Sequence, residues 1–172
     1  RFGLFTAAAL CRSEDEELEH ICRLVRESVE QGAVGFSTSR FLGHTVPDGR
    51  LTPGTWADER ETSAIQQAIV DGGGTGALFQ VAPDMTSRLR TELEMFETGA
   101  ELGCHVLYSG VTGRSGDGWV ARTTEFLARN NEGGRRMTSI CHTRPSGAMF
   151  GLAQITPFRN TPWQVLDPKT AL

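Results

Sequence analysis

One pattern constrains this chain more than any other: an amphipathic helix, a glycine that stops it, and a short apolar run, repeated down the sequence. Gly32, Gly76, Cys104 and Arg136 open the apolar runs, at intervals of 44, 28 and 32 residues. Runs at 32–39, 76–82, 104–108 and 136–142 read as strands covered on both faces. Strands separated by helical stretches of this length join in parallel, as βα units. Four such units form either an open doubly wound sheet or half of a (β/α)8 barrel. A closed barrel takes roughly 250 residues, so 172 residues do not close one alone. The strands are expected to be parallel neighbours in chain order, with the helices on one face, because such crossovers are right-handed.

The helices carry their own punctuation. Ser13 with Glu16 forms a capping box, and Glu14, Asp15 and Glu17 suit the positive end of a helix dipole. Leu18, Ile21, Cys22, Val25 and Val29 make its apolar stripe at spacings of three and four. Asp58 caps a second helix through Ile65, Ala68 and Ile69, which ends at Gly72-Gly73-Gly74. Thr86 or Ser87 begins a third, with Leu89, Leu93, Phe96, Ala100 and Leu102 inward and Gly103 as its stop. A fourth carries Trp119, Val120, Phe126 and Leu127 up to Gly133-Gly134. Residues 1–12 are uninformative. Residues 146–172 hold Pro157, Pro162 and Pro168 and read as a loop-rich tail on a single partial domain, whose βα units cover about 13–145.

Charge and cysteine content narrow the class. A net charge of −4, with the 17 Lys and Arg scattered, gives no electrostatic reason to expect nucleic acid or an anionic membrane as partner. Cys11, Cys22, Cys104 and Cys141 form no C-x-x-C, and in a chain of this length they read as free thiols of a reducing, cytoplasmic setting rather than as two disulfides. The apolar stretch 4–11 is too short to span a bilayer and lacks a clear signal-peptide cleavage site. Because the chain begins at Arg1, and half a barrel leaves two sheet edges open, it is expected to be a piece of a longer protein or to pack against another copy.

The carboxyl ends of parallel strands are where α/β folds gather chemistry. The first strand ends in Ser37-Thr38-Ser39-Arg40 and runs into a long loop, 40–57, with turn signals at Asp48-Gly49 and Pro53-Gly54. A loop of that length, holding His44 and Trp56, reads as functional. Gly72-Gly73-Gly74-Thr75-Gly76 lies between helix and strand, the wrong order for a phosphate cradle. The glycine-rich segment 110–118 has the right order but matches no nucleotide motif, and reads as an active-site loop. Gly35-Phe36-Ser37-Thr38-Ser39 falls short of a nucleophile elbow, so Ser37 is taken as a strand-end hydroxyl that bonds locally. His20 reads as solvated and His105 as structural. His44 and His142 are both positioned to face one mouth, and no pair of histidines has H-x-H or H-E-x-x-H spacing.

The segment Gly32-Ala33-Val34-Gly35-Phe36-Ser37-Thr38-Ser39-Arg40 resembles the Gly-Ala-x-Gly-Phe-Ser-Thr segment of the N-acyl-D-amino-acid deacylases (D-aminoacylases) of the amidohydrolase superfamily. Leu42-Gly43-His44-Thr45, Pro47-Asp48-Gly49, Pro53-Gly54 and Phe79-Gln80-Val81-Ala82-Pro83-Asp84 are similar to a divergent branch of that group. Arg144-Pro145-Ser146-Gly147 and the stretch from Pro157-Phe158 to Pro162-Trp163 fit it too. The resemblance implies about half of a TIM barrel of the metal-dependent hydrolase type, acting on C–N amide bonds of N-acyl amino acids or related small molecules. It also implies zinc, which lowers the pKa of bound water and polarises the scissile carbonyl. No family ligand falls on a residue of this chain: Gln80 stands near the place of one histidine, Tyr108 near another, and the remaining ligands lie outside. The isolated chain is therefore expected to hold zinc no better than a surface histidine does and to show no deacylase activity. Ser39, Arg40, His44, Gln80, Tyr108, His142 and Arg144 are expected to line the mouth. Arg40 or Arg144 would hold a substrate carboxylate in bidentate fashion, or else cap strand-end carbonyls. The alternative reading is a non-catalytic, barrel-derived domain that has lost its ligands and acts by packing against partners.

Overall fold

The computed structural model describes residues 15–85, 88–110 and 119–141. The chain divides into two compact units, Arg1–Cys141 and His142–Leu172, and all the described residues lie in the first. The capping residue Ser13, the loop 111–118 and the tail 146–172 lie outside the described residues.

Helix and strand alternate as the spacing predicts. The order is α1 (Asp15–Glu30), β1 (Gly35–Ser39), α2 (Glu59–Gly73), β2 (Leu78–Ala82), α3 (Leu89–Leu102), β3 (His105–Ser109), α4 (Trp119–Glu132) and β4 (Arg136–Ile140). The four strands form one parallel sheet in the order β1-β2-β3-β4. The helix stops act through backbone geometry. Gly103 ends α3 in the left-handed region, with φ 108°, returning its N–H to Ala100 and Gly99. Asp58 is the N-cap of α2, its carboxylate accepting the Glu61 N–H at 3.0 Å.

The helices bury one face of the sheet. Phe79 and Val81 of β2, Val106 and Tyr108 of β3, and Met137 of β4 pack with Val25, Ile65, Ile69, Phe96 and Phe126 from the four helices. Tyr108 stacks on Phe96 with ring centroids 4.6 Å apart. No helix among the described residues covers the other face. Register places Ser37 beside Gln80, Leu107 and Thr138 there, and Gly35 beside Leu78, His105 and Arg136. The runs are therefore not covered on both sides within the described residues. β1 alternates, with Phe36 against the core while Ser37 is exposed on the uncovered side.

Gly35 is the closest approach in the sheet. It sits at φ 154°, and a Cβ there would lie 1.9 Å from the Leu78 carbonyl oxygen. Only glycine lets β1 reach β2 at this point.

Candidate functional site

The carboxyl end of β1 is built by a tight turn and a small hairpin. The chain leaves Ser39 and turns at once, His44 N–H donating to the Phe41 carbonyl at 3.0 Å. Gly43 belongs in that turn because a Cβ would meet the Phe41 ring at 2.4 Å. The turn brings His44 back over the strand end, so that His44 Nδ1 lies 2.6 Å from Ser39 Oγ. The Phe41 ring meets the imidazole edge-on, 5.2 Å between centroids.

Residues 45–51 then form a short antiparallel excursion. Thr45 bridges Leu51, and Val46 N–H donates to Arg50 at 2.8 Å. Asp48 accepts from both the backbone and the guanidinium of Arg50, which holds its carboxyl below the usual range. The expected turns are present, with Gly49 and Gly54 at φ 87° and 84°. The loop is thus an ordered structure with internal pairing.

Buried charge ties this loop to the helix layer. Arg40 is 4% exposed, its Nε donating to Glu92 Oε1 at 2.8 Å and its Nη1 to the Ala57 carbonyl. Arg88 reaches across with Nη1 to the Thr55 carbonyl and Nη2 to the Arg40 carbonyl, at 3.0 and 2.7 Å. Its guanidinium lies 5.0 Å over the Trp56 ring. Glu92 is fully buried, and its Oε2 has no hydrogen-bond partner. Burial pushes its pKa up; the hydrogen bond and charge of Arg40 offset this only in part.

A cleft of about 570 Å³ opens here, lined by Ser37, Ser39, His44 and Gln80, with Ala57 and Thr62 among its other walls. That volume suits a small molecule. Ser37 Oγ donates to Gln80 Oε1 across the β1–β2 pair.

Four of the expected mouth residues therefore come together, Ser39, Arg40, His44 and Gln80 all lining the cleft beside the apolar Ile21, Phe36, Ile65 and Phe79. The Arg40 guanidinium is engaged by the Glu92 carboxylate and by the loop carbonyl of Ala57, which is not a strand end. Tyr108 departs from expectation. It is 1% exposed in the helix-covered core, because β3 alternates and residue 109, not 108, shares the outer face. Burial raises its pKa, with the Ser139 hydroxyl only partly offsetting this and making no full hydrogen bond to the phenol. His142 and Arg144 lie outside the described residues.

Two participants were not read from sequence. Gln80's partner Ser37 follows from strand register, which a single sequence does not fix. Glu92 left a visible signal: it stands at helical spacing between Leu89 and Phe96, on the stripe that α3 turns to the core.

No family model matches the chain, and no curated protein or solved structure matches it. Among the described residues no helix is long and apolar enough to cross a membrane.

Proposed function

We propose that this chain is four consecutive βα units of a (β/α)8 hydrolase that cleaves the amide bond of N-acyl amino acids or related small amides. The observation that carries the reading is the cleft at the carboxyl end of β1 and β2. There, Ser37, Ser39, His44 and Gln80 line a small-molecule volume whose other walls include Ile21, Phe36, Ile65 and Phe79. The parallel order, the helices on one face and the open polar face beside Ser37, Gln80 and Thr138 suit half a barrel whose interior is finished by further strands.

The resembled deacylases work with zinc, and the donors present do not fit it. Among the described residues no three His, Cys, Asp or Glu side chains converge on one point. In the cleft, Gln80 offers a neutral amide oxygen already accepting from Ser37, and His44 Nδ1 is engaged by Ser39. Zinc sites take imidazole, thiolate or carboxylate. No step of the reaction is therefore assigned to a metal held by these residues. Toward the amide substrate this chain's groups supply binding at least: Gln80 hydrogen-bonds the substrate amide, and the loop 40–57 walls the cleft.

The test is amine release from N-acetyl-D- and N-acetyl-L-amino acids, by the chain alone and by any longer polypeptide that carries it. We expect turnover only in the longer form, with KM raised about tenfold or more by Gln80→Leu, the loss of one or two hydrogen bonds. Longer forms that bind zinc elsewhere yet release no amine would sink the hydrolase reading. They would leave the non-catalytic, partner-packed domain.

A further inference from the structure

The Ser39–His44 contact does more than hold a turn. Serine attacks a carbonyl only when a base within hydrogen-bond reach takes its proton. Ser39 Oγ to His44 Nδ1 is 2.6 Å, inside that range. For Ser39 to donate, the neutral imidazole carries its proton on Nε2 and presents Nδ1 as the acceptor. Of the other hydroxyls that line the cleft, Ser37 is committed to Gln80, Thr62 to the carbonyls of Asp58 and Glu59, and Thr52 pairs with Thr55. Ser39 is thus the hydroxyl of this cleft that faces a base. Gln80, whose Oε1 accepts from Ser37, lines the same cleft. The arrangement is held locally: the Phe41–His44 turn fixes the backbone, and the Phe41 ring packs against the imidazole.

We propose that Ser39 and His44 are a nucleophile and general base that accept an acyl group from activated acyl donors. In the first step Ser39 Oγ bonds to the acyl carbon while its proton passes to His44 Nδ1. The bond from that carbon to the leaving alcohol then breaks, and the departing oxygen takes the electron pair and the proton from His44. In the second step water adds to the ester carbon and gives its proton to His44. Ser39 Oγ leaves with the bond's electrons and recovers that proton, so the acid is released and the pair is restored. No oxidant, reductant or metal enters. The step rests on the proposed function for the location of the cleft, but not on the identity of its amide substrate. An activated ester reads the pair even where amide turnover needs more of the barrel.

The experiment treats the full chain with p-nitrophenyl acetate and maps the acetyl group by peptide mass spectrometry. Acetyl thioesters at Cys141 and amides at Lys169 are resolved by their peptides. We expect an acetyl ester on Ser39, absent in Ser39→Ala. Its formation should slow by about 100-fold in His44→Ala, the lower end of what a positioned base supplies. Added imidazole should restore part of that rate, which a merely structural histidine would not allow. An unchanged circular-dichroism spectrum and urea midpoint for His44→Ala check that lost labelling does not come from a collapsed fold. No ester at Ser39 in the folded chain overturns the proposal, as does labelling of His44→Ala at the native rate. Either result leaves the N-acyl amino acid reading standing, because that reading is tested by amine release.

Discussion

Replacing Arg40 with Met tests whether the loop at the site is anchored by buried charge. The side chains of Arg40 and Glu92 are 5% and 0% exposed, and the Nε–Oε1 distance is 2.8 Å. Removing the guanidinium leaves a carboxylate with no compensating cation in contact, since Glu92 Oε2 is already without a partner. Breaking a buried pair by deleting one member costs about 3–5 kcal/mol. That is a large share of the roughly 5–15 kcal/mol that holds a domain together. With a urea slope of about 2 kcal/mol/M, the unfolding midpoint should fall by about 2 M at pH 8.

The pH dependence gives the sharper test. Burial raises the Glu92 pKa in the folded protein, and Arg40 opposes that rise. An acid with a raised folded pKa contributes stability that is full below its unfolded value, about 4.3. That contribution is lost as pH climbs through the folded value. In Arg40→Met the hydrogen bond and the larger opposing charge are gone, Arg88 remains as the lesser one, and the folded pKa rises further. The variant's deficit should therefore be largest at pH 8 and shrink as pH falls through the raised folded value and Glu92 takes up a proton. Arg40→Met/Glu92→Leu should recover most of the loss, keeping about 1–3 kcal/mol for the orphaned Ala57 carbonyl. Urea titrations followed by circular dichroism from pH 8 downward measure all three. A deficit under about 1 kcal/mol at pH 8, or one that does not shrink as pH falls, would refute the reasoning.

Gly35→Ala should cost about 3 kcal/mol or more, because strained φ is compounded by a backbone oxygen 1.9 Å from the new Cβ. Gly49→Ala, at φ 87° with nothing within 4 Å, should cost only about 1–2 kcal/mol; thermal melts of the two variants compare them directly. Among the described thiols, Cys141 is exposed, whereas Cys104 is 1% exposed with its pKa pushed up to about 11 by burial. A disulfide reagent at pH 8 should modify Cys141 at once and Cys104 only on unfolding, and rapid native labelling of Cys104 would count against the packing described.

The fold was legible because its signals are local. Gly32 and Gly103 stop helices through positive φ, Asp58 supplies its own cap, and the stripes of α1 to α3 run at helical spacing. The strand ends were less so. β1 begins at Gly35 rather than Gly32, since the residues between return backbone bonds to the end of α1: Ala33 N–H to Ser28, Gly32 N–H to Val29. The loop 40–57 carried clear turn residues, yet its hairpin depends on backbone pairing between Thr45 and Leu51 that no side-chain period records. Its anchors, Arg88 and Glu92, lie a full βα unit downstream.

The site was legible only as far as strand parity allows. Side chains alternate across a sheet, so an error of one position moves a residue from the cleft to the core. In β1, Phe36 packs with the core, and counting from it puts 37 and 39 on the other face. In β3 both Val106 and Tyr108 are apolar enough to belong inside, and Tyr108 also carries a hydroxyl that suggests a mouth. The core takes it: burying the ring is worth about 1.5–3 kcal/mol and the stack on Phe96 about 0.5–1.5 more, against about 1–3 for the unsatisfied phenol. The outward neighbour is Ser109, in register with Ile140 of β4. The same count puts Arg40 on the inner side, where a cation needs an anion, and Glu92 on the apolar stripe of α3 is that anion. A charged residue at an inward position of a strand and another on a helix's apolar stripe are thus one signal in two places. Found together in a sequence, they identify a loop anchor rather than a ligand contact.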